Sequence, residues 1–235
     1  MSSSSKPRVI RKNCPTQPIK RNAYRAVWDN LALDFGERCA YSMQHMSRAG
    51  GRKCMEIDHF NPTLKRAAIQ DYANLFLATR HCNGAKGNQW ENHQRRQRGA
   101  RFLNCCKETD YGVHIFEDPD THKLVGVTPE GKYHVRNCDL NAPHLVRERL
   151  ERAQLFQLLQ RTPICVKPGI PIPKEADKIT LIIQQLTTIA GKMIPPIPYL
   201  CGTALQEHRK RQLALAACAP PTFTSASTYT PILPL

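Results

Sequence analysis

No apolar run in this 235-residue chain approaches the span of a membrane helix, and Met1–Arg8 lacks the hydrophobic segment of a signal peptide. Both absences predict a cytoplasmic chain with no membrane partner. Acidic residues are scarce, 19 against 34 Lys and Arg, which leaves a formal net charge of +15 and a pI near 9.6. The last seventeen residues, Ala219–Leu235, carry no charge at all. With no export signal, the ten cysteines read as free thiols or metal ligands and not as a disulfide framework.

The basic excess is clustered. Lys6, Arg8, Arg11, Lys12, Lys20, Arg21 and Arg25 crowd one end, and Arg95, Arg96, Arg98 and Arg101 form a second group. Such runs bind phosphates by counterion release, so nucleic acid is the expected partner, although a lone basic run is often only a solvated face.

Between the two clusters lies an ordered set of chemistry-bearing residues: Glu56-Ile57-Asp58-His59-Phe60-Asn61-Pro62, then Asn74-Leu75, then Cys82-Asn83-Gly84-Ala85-Lys86. Hydrolysis of a phosphodiester needs a base for the attacking water, a cation for the scissile oxygens and positive charge to hold the phosphate. Neutral imidazole accepts a proton near pH 7, which suits His59 to the first task. Asp58 and Asn83 are hard oxygen ligands for Mg²⁺ or Mn²⁺, and two protein ligands leave positions open for water and phosphate. Lys86 follows Asn83 by three residues, on the same face of any helix there, and is expected to touch the phosphate.

This order and spacing resembles the HNH endonuclease family in its His-Asn-Asn variant, closely over residues 37–90. The resemblance implies a ββα-metal core, one catalytic divalent cation, and a bracing role for Asn74, whose amide can donate and accept at once. Many such domains close a structural zinc site with two Cys-x2-Cys pairs. Here Ser42 follows Cys39 and Thr79 precedes Cys82 at the partner positions. A substitute set of Cys39, Cys54 and Cys82 with His45 or His81 matches no regular ligand spacing, so Cys39 and Cys82 read as small buried hydrophobes. More loosely, the chain is similar to standalone HNH nucleases of bacterial antiphage defence cassettes such as the Septu type. That implies DNA more than RNA as substrate and control by a protein partner such as an ATPase. Transfer RNA cleavage, or an HNH fold that binds nucleic acid without cutting it, are the alternatives.

The predicted architecture is α+β. Residues 1–15 read as a disordered basic arm, 16–161 as the nuclease domain and 162–235 as a Pro-rich helical extension. Tyr24, Val27, Trp28 and Leu31 mark an amphipathic helix over Pro18–Phe35. Cys39–Ser42 and Met55–Phe60 read as the two strands of the core, with its helix opening at Asn83. Val113–Phe116, Lys123–Val127 and Tyr133–Val135 read as a β-meander, followed by a helix over Ala142–Gln160 capped by Asn141. Two further helices are predicted over Lys174–Ala190, stopped by Gly191, and over Thr203–Cys218. The uncharged tail either packs on its own core or docks on a partner.

Overall fold

A computed structural model describes residues 6–17, 19, 23–161 and 174–217. Lys20, Arg21, the proline-rich stretch 162–173 and the uncharged tail lie outside the described residues. The protein mixes helices with two small antiparallel sheets, an α+β arrangement. Among the described residues, no helix is long and apolar enough to cross a membrane.

The first sheet pairs β1 (Met55–His59) with β2 (Leu75–Thr79), in a register that sets His59 opposite Leu75 and Asp58 opposite Phe76. β2 is Leu-Phe-Leu-Ala-Thr and buried throughout, so it shows none of the alternation that marks a half-exposed strand. α1 (Trp28–Asp34) contributes Leu31 to the core, and Phe35 just beyond it lies 5.6 Å from Phe76. A short 3-10 turn, Tyr24–Val27, precedes α1 where the sequence predicts continuous helix. Cys39–Ser42, predicted as a strand, is a turn held by Ala40 N donating to Leu77 O at 2.7 Å. The strand that pairs with β1 is therefore the one after the motif's loop.

α2 (Arg80–Lys86) starts directly from β2. Thr79 caps it, Oγ1 accepting from Cys82 N at 3.3 Å, and Gly87 ends it at φ 51°, a left-handed conformation that favours glycine. Asn83 thus lies in the middle of the helix and not at its start. α3 (His93–Gln97) is a short helix capped by Asn92.

The second sheet pairs β3 (Ile115–Glu117) with β4 (Leu124–Gly126). The predicted third strand of a meander is instead α4 (Pro129–Asn137), with Thr128 capping Gly131 N and Pro129 in the first turn. The crossing is tight: a Cβ on Gly126 would meet Lys132 N at 2.2 Å, and one on Gly131 would meet His114 O at 2.2 Å. α5 (Pro143–Arg161) follows. Asn141 does not cap it; the amide accepts from Leu124 N and donates to Leu124 O, at 2.7 and 2.9 Å.

Two predicted boundaries move. Residues 6–15 are docked and not a loose arm. Val9 is buried, Arg8 reaches Asp110 at 2.7 Å, and Arg11 donates to Tyr72 O and Leu75 O. At the other end, α6 (Lys174–Lys192) runs through Gly191 and packs on α5. Ile194, Ile197 and Leu200 then enter the core, with Glu117 N donating to Pro198 O and Leu200 N to Glu117 O. The first compact unit accordingly extends to Leu200, and the second is Cys201–Leu235. Of that second unit the described residues give α7 (Gly202–Ala217), where Arg211 pairs with Glu207 at 3.2 Å.

Candidate active site

Strand alternation sends Glu56 and Asp58 to the same side of β1, and α2 lies across that side. Asn83 Nδ2 donates to Glu56 Oε2 at 2.8 Å, and Lys86 Nζ donates to Asp58 Oδ1 at 3.0 Å. Two strand residues two apart thus meet two helix residues three apart. His59, next along the strand, sets its ring against Tyr24 at 5.2 Å, edge on. A cleft of about 280 Å³ opens where these groups converge, lined by Asp58, His59, Pro62, Asn83, Gly87 and Asn88 among others.

His59 is half-buried, and among the described residues its ring makes no hydrogen bond. Burial lowers its pKa below the ordinary 6.5, with Asp58 opposing and Lys86 adding to the effect. The ring is therefore neutral at pH 7 and can take a proton. Asn74 is buried beneath the loop that follows: its Oδ1 accepts from Asn61 N at 2.8 Å, while Nδ2 donates to Asn61 O and Ile69 O. Its bonds go to the loop backbone that carries the chain away from His59.

Lys86 corrects an expectation. Its side chain is fully buried, donates also to His59 O at 3.1 Å and lies 5.6 Å over the Phe102 ring, so it cannot reach a phosphate in solvent. Because α2 presses onto β1, the face that carries Asn83 and Lys86 points at the strand. Lys86 neutralises Asp58 instead. Asp58 is itself buried and accepts a second hydrogen bond, from the Tyr41 hydroxyl. Burial, then the Asp58 charge, holds the Tyr41 phenol well above its ordinary pKa, which keeps it a donor.

Amide and carboxylate oxygens gather on one side of the cleft. A carboxylate only accepts, so Glu56 must face the Asn83 NH₂, which leaves Asn83 Oδ1 turned away from Glu56. Asp58, Asn83 and Asn88 carry the side-chain amide and carboxylate oxygens of the residues lining the cleft, and the Asp58 oxygens already accept from Lys86 and Tyr41. Among the described residues, no three His, Cys, Asp or Glu side chains converge as a metal group.

The zinc positions behave differently from one another. Cys39 and Cys82 are buried beside Thr79, whose Oγ1 lies 3.6 Å from Cys39 Sγ. Cys54 sits elsewhere, under the Gly50 turn, where a Cβ on Gly50 would meet its Sγ at 2.8 Å. His45 bonds Ser47, and His81 pairs with Asp139. The substitute set is not assembled.

The second basic cluster is divided. Arg101 makes a bidentate pair with Glu108 at 2.7 and 2.9 Å, and that pairing raises its pKa. Arg95 pairs with Glu91 at 2.8 Å, Arg96 stacks 5.0 Å over Trp90, and Arg98 is exposed. Trp90 in turn meets Phe60, the neighbour of His59, edge on at 5.6 Å. The sequence assigns Glu56 no role within its motif and reads Tyr24 as part of a helix's apolar stripe and not as a residue that stacks on bases, and it does not single out Tyr41. Only Glu56 carries a signal, since its spacing of two from Asp58 places both on one strand face.

No protein-family model, curated protein or solved structure matches this chain.

Proposed function

We propose that this chain is a metal-dependent endonuclease, with β1, β2 and α2 forming an HNH-type ββα-metal core. The observation that carries this reading is the one cleft that Asp58, His59 and Asn83 share, with no hydrogen bond to the His59 ring among the described residues. His59 takes the proton of the attacking water, and its lowered pKa keeps the ring unprotonated, and so free to accept, near neutrality. Asn74 fixes the loop behind the base, and Tyr41 with Lys86 holds the Asp58 carboxylate in place. Asp58 and Asn83 would hold Mg²⁺ or Mn²⁺, which supplies charge stabilisation at the scissile oxygens and the leaving alkoxide. Arg95 and Arg98 are exposed and Arg96 partly so, and these would meet the phosphate backbone, whereas Arg101 is committed to Glu108. DNA is the preferred substrate, and the resemblance to defence-cassette nucleases supports a role in cutting invading DNA under control of a partner.

The test is incubation of the purified chain with plasmid, single-stranded DNA and total RNA, with Mg²⁺, with Mn²⁺ and with chelator. Cleavage that needs the cation and is lost in Asn83→Ala supports the reading. Binding without cleavage under every condition overturns it in favour of a non-cutting module.

A further inference from the structure

A second cleft, of about 520 Å³, shares Ile57 and Asn83 with the first, so the two lie side by side at the strand–helix contact. Its size falls within the range of about 300 to 1,000 Å³ usual for ligand clefts. Tyr24 lines it and also meets the ring of His59, which lines the first cleft. The Arg52 guanidinium lies 3.8 Å from the Trp28 ring centroid, and Asp29 Oδ1 accepts from Arg52 Nη1 at 3.0 Å. Arg25 is exposed on the same rim. The cleft's one carboxylate, Glu56, is matched by Arg80 at 3.0 Å and by Asn83.

We propose that this second cleft holds an unpaired nucleotide flanking the scissile phosphate, its base stacked on the Arg52–Trp28 pair and its phosphate met by Arg25. The inference rests on the nuclease reading of the neighbouring cleft. A guanidinium anchored by a carboxylate and backed by an indole presents a flat, fixed plane, which stacks on any base but needs the base face uncovered. Bases inside a duplex already cover their faces. Adjacency to the first cleft decides what occupies the second, because a strand whose phosphate lies at His59 must pass its next nucleotide along the neighbouring protein surface. The substrate class is therefore single-stranded or locally opened nucleic acid.

The experiment uses the full chain carrying His59→Ala, so that substrate survives, and measures anisotropy of a labelled single strand and of its duplex. Arg52→Ala in that background weakens single-strand binding by about tenfold, in line with the loss of one stacked base, with duplex binding unchanged. Arg52→Lys keeps the charge without the plane and falls nearly as far. Arg98→Ala serves as the control and lowers both affinities together. In a Trp90→Phe chain, where Trp28 is the remaining tryptophan and is excited selectively over tyrosine, single strand quenches the emission and duplex does not. Equal losses for both substrates on Arg52→Ala, or Trp28 emission indifferent to single strand, overturn the stacking site while leaving wild-type cleavage intact. Wild-type chain that cuts nothing but still shows the Arg52-dependent quench removes the nuclease reading and keeps the stacking site. Absence of all binding removes both.

Discussion

The β1–β2–α2 unit and the β3–β4–α4 unit share one plan: an antiparallel pair followed by a helix that a threonine caps, Thr79 in one and Thr128 in the other. In each, the first strand ends on an ionisable residue, His59 or Glu117. There the likeness stops. Glu117 is completely buried and accepts from Arg152 at 2.6 and 2.7 Å, with His122 at 2.7 Å as well, so its charge is consumed inside the fold. His59 lines a cleft, and among the described residues its ring makes no hydrogen bond. The strands of the first unit are joined by the long loop 60–74, which the Asn74 amide props open, and those of the second by the short turn 118–123. Architecture alone does not make a site; a polar group left accessible and unpaired does.

The comparison is broken most sharply by removing the two strand-end residues. His59→Ala lowers single-turnover cleavage by about 10²- to 10⁴-fold, with the urea unfolding midpoint unmoved. Glu117→Ala leaves Arg152 buried without its carboxylate and costs about 3–5 kcal/mol of stability, with cleavage per folded molecule unchanged. A stability loss in the first variant, or a selective loss of cleavage in the second, would show that the roles are reversed.

Acid sharpens it further, because the two units place a histidine differently. His134 of α4 is buried, accepts from Leu103 N through Nδ1, and burial drives its pKa from 6.5 to about 4. The folded value is below the unfolded one, so this contribution is complete above pH 6.5 and is lost as the pH falls toward 4. The change is on the order of 3 kcal/mol. His59 is also lowered, so the acid limb of the cleavage profile lies below 6.5. Urea unfolding across this window checks the first statement, and His134→Gln should flatten its slope. A slope unchanged by that substitution assigns the acid loss to other groups.

β1 was legible because Met-Glu-Ile-Asp-His alternates and ends in the motif. β2 was not, because a strand buried on both faces has no period to read, and Leu75–Thr79 entered the sequence reading only through Asn74-Leu75. Pro129-Glu130-Gly131 looks like a turn, yet Thr128 before a proline is equally a helix start, and Gly131 is there for the close passage of His114. The site's residue types were readable from order and spacing. Their exposure was not: Arg8, Arg11 and Lys86 count toward the positive charge in a sequence, but tertiary packing spends all three on internal partners. The spacing of Glu56 from Asp58 puts both on one strand face, but only the structure shows that Glu56 bonds Asn83.

Glu56 also gives the smallest predicted effect. It has no counterpart in the second unit, where Glu117 is locked by cations, whereas Glu56 is partly exposed and shared between Arg80 and Asn83. Its carboxylate can only accept, which dictates that the Asn83 amide turns its NH₂ toward β1 and its oxygen away. Glu56→Gln keeps the volume but offers a donor as well as an acceptor, so the Asn83 amide gains a second orientation with its oxygen bonded to Gln. Cation affinity should fall by about tenfold, as for other residues that orient a ligand from behind. Saturating Mg²⁺ or Mn²⁺ should then restore most of the cleavage rate, and the unfolding midpoint should hold, because the ion pair with Arg80 is solvent-exposed and contributes little. Titrating cleavage against cation concentration in wild type and variant measures this. An unshifted midpoint with a lowered maximal rate would place Glu56 in contact with the reacting groups and not behind Asn83.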